Sequence, residues 1–212
     1  ESPKWIGRCP VCGEWNTYVE EVVSTKSAAG GRGEFGTMEQ SKVRPQRIDD
    51  IQITEESRID LGNGELNRVL GGGLVRGSLV LIGGEPGIGK STLILQTVLA
   101  LKGQKILYVS GEESARQLKL RAERIGGNAP DCYIVCETSL EDIFVHIRNV
   151  DPDIVVIDSI QTIATSAMES SPGSVGQVRE CAASLLKFAK QTNTPVLLVG
   201  HINKEGSIAG PK

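Results

Sequence analysis

The sequence lacks any uninterrupted apolar run near the roughly 18 to 20 residues that a membrane-crossing helix needs, so a soluble protein with no membrane partner is expected. It opens Glu1-Ser2-Pro3-Lys4, with neither an initiator Met nor a basic-then-apolar leader, and stops at Gly210-Pro211-Lys212 in mid-phrase. The expectation is a fragment, cut at both ends. A basic field is also missing. Residues 1–60 hold 8 Lys+Arg against 11 Asp+Glu and the remainder 15 against 15, out of totals of 23 and 26. Near-neutrality argues against a surface that grips nucleic acid everywhere, though a local patch or loop is still open to it. Five cysteines, an odd number without a secretory signal, argue against a disulfide scaffold. A reducing, cytoplasmic setting follows, with metal binding or burial as the uses of Cys. No internal repeat is present.

What is there is ordinary globular material: 212 residues, 39% hydrophobic and 23% charged, enough for one mid-sized domain and a small appendage. Residues 1–23 gather Trp5, Cys9, Cys12, Trp15 and Tyr18 into a short span. Residues 24–47 are rich in Gly, Ser and charge without apolar periodicity, and read as a flexible linker. From residue 48 to 212, short β-type runs alternate with helix-length amphipathic stretches, the pattern of an α/β core with a mostly parallel central sheet. Strands are expected at Ser78–Ile82, Lys105–Val109, Cys132–Val135, Ile154–Ile157 and Val196–Val199, with helices near 90–101, 114–125, 139–149 and 175–192. Ile154-Val155-Val156-Ile157 has no polar parity, as a strand buried on both faces requires.

The strongest chemical signal is Gly84-Glu85-Pro86-Gly87-Ile88-Gly89-Lys90-Ser91, which fits G-x-x-x-x-G-K-[ST] at every fixed position between a strand and a helix. Glycines let the backbone wrap closely, and N–H groups converge with the helix N-terminus on one anion site. In such a phosphate loop Lys90 reaches the β- and γ-phosphates of ATP, or the β-phosphate of ADP. Ser91 is placed to ligate Mg²⁺, and Thr92 to contact the α-phosphate. A chance glycine turn before a helix is the bland alternative.

Asp158 ends an apolar strand at its carboxyl edge, where open α/β sheets bind ligands, and is expected to hold Mg²⁺ through water, assisted by Ser159. A turn-capping Asp is its structural alternative. Val109-Ser110-Gly111-Glu112-Glu113-Ser114 is again a strand ending in acids. Glu112 is the first candidate to orient and deprotonate an attacking water. Glu113 either shares that role or complements the dipole of the next helix. His201 ends the last strand, where a polar side chain can touch the γ-phosphate; a solvated surface His is the plain reading.

Cys9-Pro-Val-Cys12-Gly has the form of a zinc knuckle, two thiolates converging on one ion. A closed site needs four ligands, so this is read as half of a four-Cys site whose other half lies upstream of Glu1. A redox C-x₂-C is the rival. Cys132, Cys136 and Cys181 read as small buried hydrophobes.

In this order, the phosphate loop, strand–Glu, strand–Asp and strand–His resemble a RecA-like P-loop ATPase core preceded by a small zinc-ribbon-like segment. Gly71-Gly72-Gly73-Leu74-Val75-Arg76-Gly77-Ser78, Val109 to Ser114, Gly200-His201-Ile202-Asn203-Lys204-Glu205-Gly206-Ser207-Ile208-Ala209-Gly210-Pro211 and Cys9 to Thr17 resemble the bacterial RadA, or Sms, family, from Trp5 to Lys212. The resemblance implies an ATP hydrolase of recombinational DNA repair that acts on single-stranded DNA and promotes branch migration of recombination intermediates. It further implies a hexameric homo-oligomeric ring and a RecA recombinase as partner. It assigns Gly84 to Thr92 to the phosphate loop, Asp158 to the Mg²⁺-linked acid, Glu112 to water activation and His201 to γ-phosphate sensing. An upstream Cys pair, and a downstream Lys-Asn-Arg-Phe-Gly motif with a protease-like domain, belong to the family pattern and are absent from this sequence. If that motif completes a neighbour's site, the fragment alone should hydrolyse ATP poorly.

In rings of this type two mobile loops face the channel, here about Thr165–Gln177 and Asn203–Lys212. The first has no Lys, Arg or aromatic, so it would use backbone N–H and hydroxyls on phosphates; the second offers Lys204 and Lys212. Arg116, Lys119, Arg121 and Arg124 are expected as a cationic helix face, with Arg116 or Arg121 available to stack on adenine. Two other readings stay open: an ATP-gated assembly protein and a clock-type autokinase of the same superfamily.

Overall fold

Ile154-Val155-Val156-Ile157 is buried at every position and forms the middle of a five-stranded, wholly parallel sheet. The computed structural model describes residues 47–50, 58–126 and 131–201. The chain divides into two units, Glu1–Ile51 and Gln52–Lys212. Of the first, Ile48–Asp50 form a single 3-10 turn; the sheet belongs to the second. The expected zinc knuckle at Cys9 and Cys12, the linker through residue 46 and the loop from Asn203 lie outside the described residues.

In chain order the elements are α1 (Gly64–Val69), β1 (Leu79–Gly84), α2 (Lys90–Ala100), β2 (Ile106–Ser110), α3 (Ala115–Ile125), β3 (Cys132–Cys136), α4 (Leu140–Val150), β4 (Ile154–Asp158), α5 (Val175–Thr192) and β5 (Val196–His201). All five expected strands and four expected helices are present. The sheet order is β1-β5-β4-β2-β3. Parallel neighbours need crossover connections, and the helices supply them.

Strand parity sorts the core into two layers. Ile106, Tyr108, Ile154, Val156, Leu197 and Val199 pack with Ile94, Leu95 and Val98 of α2 and Leu118 of α3 on one face. Leu107, Val109, Val155, Ile157, Val196 and Leu198 pack with Ile143 and Ile147 of α4 and Val178, Cys181 and Leu185 of α5 on the other. Side-chain caps set the starts of α3, α4 and α5: Ser114, Ser139 and Ser174 each accept an N–H from the first turn, and Ser114 with Gln117 completes a capping box. Gly126, at φ 77, ends α3 in the left-handed conformation that glycine adopts without strain.

Three expectations need correction. Cys181 is buried as expected, but Cys132 is half-buried and Cys136 exposed, because β3 is the sheet edge and has a strand neighbour on one side alone. Burial pushes the Cys132 and Cys181 thiols up to about 11, so both stay protonated near neutrality. The four cations of α3 do not form one free face: Arg121 turns inward to pair with Glu113, and Lys119 pairs with Glu123 at 3.4 Å. The segment expected as a loop up to Gln177 ends at Ser174, and Gln177 is a buried residue of α5, 1% exposed.

Candidate nucleotide-binding site

Parallel pairing brings every strand's carboxyl end to one edge. In register, Gly84 stands beside His201, Asp158 beside Val199, and Ser110 beside Asp158. Residues distant in sequence therefore meet there because β5 lies between β1 and β4.

The turn after β1 carries Gly87 at φ 78 and Gly89 at φ 99, both in the region that disfavours L side chains, and a Cβ at either would meet nothing within 4 Å. The concavity is open. Gly89 caps α2 and supplies no side-chain hydrogen bond, whereas Asn63, Ser114, Ser139 and Ser174 cap the other helices. The first-turn N–H groups of α2 are thus left without a side-chain acceptor, which is the requirement for an anion at a helix N-terminus. Thr92 is exposed on this turn.

Lys90 is 7% exposed, and its Nζ donates to Gly84 O at 2.9 Å and Glu85 O at 2.8 Å while lying 3.2 Å from Nδ1 of His201. Ser91 Oγ donates to Asp158 Oδ1 at 3.0 Å. The other carboxylate oxygen, Oδ2, accepts from the Tyr108 hydroxyl at 2.6 Å. Burial, reinforced by the Asp158 carboxylate, pushes the Tyr108 phenol far above its usual range, so it remains a donor.

The two neighbouring glutamates part company. Glu112 Oε1 accepts from Ser159 Oγ at 2.5 Å and lies 3.4 Å from His201 Nε2. Glu113 pairs with Arg121 on the far side of the turn, and its N–H donates to Ser110 Oγ at 3.0 Å. Gly111, between them and the strand, sits so close to Thr162 that a Cβ would overlap that side chain. Its N–H donates to Asp158 O at 2.9 Å, tying the turn to β4.

Tyr108, Gln161 and Gln177 are contributions that the sequence reading does not isolate. Gln161 Nε2 donates to His201 O at 3.1 Å and steadies the end of β5. Gln177 holds the segment after β4: its Oε1 accepts from Thr165 N–H at 2.9 Å, and its Nε2 donates to the carbonyls of Thr165, Met168 and Ser170. A tyrosine in a strand buried on both faces is itself a signal, since its hydroxyl must find a partner.

A profile of the AAA domain family matches residues 42–207, and one of the rubredoxin metal binding domain matches residues 1–20, which include Cys9 and Cys12. The chain is similar over its whole length to proteins called DNA repair protein RadA: 53% identical to that of Bacillus subtilis and 50% to that of Listeria monocytogenes. To that of Pseudomonas aeruginosa it is 47% identical over 99% of the chain. It spans 46% of the length of each of these relatives, about half. With the phosphate-loop strand, the acid-bearing strands and the His-ending strand all inside a match that covers most of the sequence, the chain belongs to the AAA domain family.

Proposed function

We propose that the chain is the nucleotide-binding core of a DNA repair ATPase that couples ATP hydrolysis to movement on single-stranded DNA. The observation that carries this is the convergence on one sheet edge of two bonded groups, Lys90 with His201 and Glu112, and Ser91 with Asp158. Similarity to DNA repair proteins called RadA supplies the biological direction.

The N–H groups of the turn through Gly87 and Gly89 and of the first turn of α2 bind the phosphates of ATP or ADP, and Lys90 exchanges its two carbonyl acceptors for phosphate oxygens. Ser91 and Asp158 fit a Mg²⁺ site. One hydroxyl and one carboxylate suit an ion that keeps several waters, and among the described residues no cluster of three His, Cys, Asp or Glu offers a fuller cage. Bound there, Mg²⁺ would neutralise charge on the phosphates. Glu112 orients the attacking water and takes its proton, with Ser159 fixing the carboxylate. His201 touches the γ-phosphate position from β5. Glu113 acts as an anchor for Arg121. Cys9 and Cys12 are two ligands of a Zn²⁺ site in the N-terminal segment.

In the same reading the assembled protein is a hexameric ring. It promotes branch migration of branched recombination intermediates in the cytoplasm alongside a RecA recombinase. Among the described residues no helix is long and apolar enough to cross a membrane. The test is phosphate release by the protein with and without single-stranded DNA. Stimulation by DNA is expected. Turnover that ignores DNA would favour the ATP-gated assembly protein, and a stable phosphoprotein after incubation with labelled ATP would favour the autokinase.

A further inference from the structure

Tyr108 is 0% exposed, the largest of the fully buried side chains among the described residues, and its hydroxyl reaches across from β2 to Asp158 Oδ2 at 2.6 Å. The two strands are adjacent, with Tyr108 in register with Val156 and Ser110 with Asp158, so the phenol spans one pleat to meet the carboxylate. Ser91 Oγ holds the opposite oxygen at 3.0 Å. This arrangement solves a mechanical problem. The terminal torsion of an aspartate is broad, and a carboxylate held at one oxygen can still turn its plane. Held at both oxygens, it cannot.

The Ser91 bond is the one that changes if that hydroxyl turns its oxygen to a cation, and Tyr108 is then the fixed support. Its ring is wholly buried in the α2–α3 layer of the core, the same cluster that holds Ile106, Ile154, Val156 and Leu118. A donor set in rigid packing is what an outer support of a metal-linked carboxylate needs.

We propose that Tyr108 is a positioning residue that fixes the plane of the Asp158 carboxylate and thereby sets the affinity of the nucleotide site for its divalent cation. This rests on the reading of Ser91 and Asp158 as the cation site. Tyr108 touches neither nucleotide nor cation; it acts through Asp158. Its effect therefore depends on the cation.

The experiment is Tyr108→Phe in the full-length chain, which keeps the ring and removes the hydroxyl. Binding of a fluorescent ATP analogue is measured in EDTA and across a Mg²⁺ titration, and Mn²⁺ binding in the presence of ADP is followed by electron paramagnetic resonance. The expected result is unchanged binding in EDTA, with the half-saturating Mg²⁺ and Mn²⁺ concentrations raised about tenfold, the lower end for loss of an outer-shell partner. Equal weakening with and without cation, including loss of binding altogether, would make Tyr108 merely structural and overturn the proposal. So would an unchanged cation titration. If the unsubstituted chain itself shows no cation-dependent nucleotide binding, the failure belongs to the nucleotide-site reading instead.

Discussion

Nζ of Lys90 stands 3.2 Å from Nδ1 of His201, joining the lysine of the phosphate loop to the end of β5 across 111 positions of sequence. An ammonium has hydrogens to give and no lone pair, so a hydrogen bond between the two uses Nδ1 as the acceptor. Nε2 in turn faces Glu112 Oε1 at 3.4 Å. One imidazole thus connects the lysine proposed to bind phosphate to the acid proposed to activate water.

Lys90→Ala is expected to weaken nucleotide binding by about tenfold to a hundredfold, the worth of charge-assisted hydrogen bonds. Titration with a fluorescent ATP analogue reads this directly. Affinity equal to that of the unsubstituted chain would remove Lys90 from the site.

Glu112→Gln keeps an acceptor for Ser159 but loses the base, so ATP should still bind while turnover falls by about 10²- to 10⁴-fold. Glu113→Gln should instead leave turnover in place and lower stability. Its carboxylate faces Arg121, whose Nη1 is already buried without a partner, so the loss is one of stability and of Tm. If the two variants exchanged phenotypes, the base would be Glu113.

Gly111→Ala forces a methyl into Thr162, at the turn that ties β2 to β4. Overpacking of this kind costs about 1–3 kcal/mol, visible in denaturant unfolding as a lower midpoint at unchanged slope.

Acid should loosen the start of α4. Burial alone would raise the Glu141 carboxyl, but hydrogen bonds from the Thr165 hydroxyl, its own N–H and Ser166 outweigh it and hold the group below its ordinary 4.5. Glu137 is held low by the N–H groups of Ser139 and Thr138. A depressed carboxylate contributes stability that is complete above the unfolded value of 4.5 and is lost as pH falls through the lower folded value. Between pH 6 and 3, Tm of Glu141→Gln should therefore fall less steeply than that of the unsubstituted chain. Parallel curves would exclude the linkage.

Strands and helices were legible because apolar runs without polar parity alternate with helix-length amphipathic stretches, each signal lying within a few residues of sequence. The phosphate loop was legible for the same reason, its chemistry being contiguous. Helix α1 was not, since Gly64–Val69 has six residues and buries none of them, and its Asn63 cap gives little pattern to see. Tyr108 escaped because its partner lies 50 positions away. Gln177 escaped for a subtler reason. Its N–H donates to Ser174 Oγ at 3.3 Å at the start of α5, while its side chain turns inward to bond main-chain atoms up to 12 positions back.

That inward turn leaves the segment after β4 with an unusual freedom. Gln177 grips main-chain atoms alone, sharing its two amide hydrogens among the carbonyls of Thr165, Met168 and Ser170. The path of the backbone there is written by a helix residue, so the side chains of Met168, Glu169 and Ser170 take no part in that grip. Such a segment is a display: its surface chemistry can be rewritten by substitution while its shape stays put. Whatever this edge of the molecule touches, evolution could retune the contact at the exposed Glu169 and Ser170 without refolding the support beneath it.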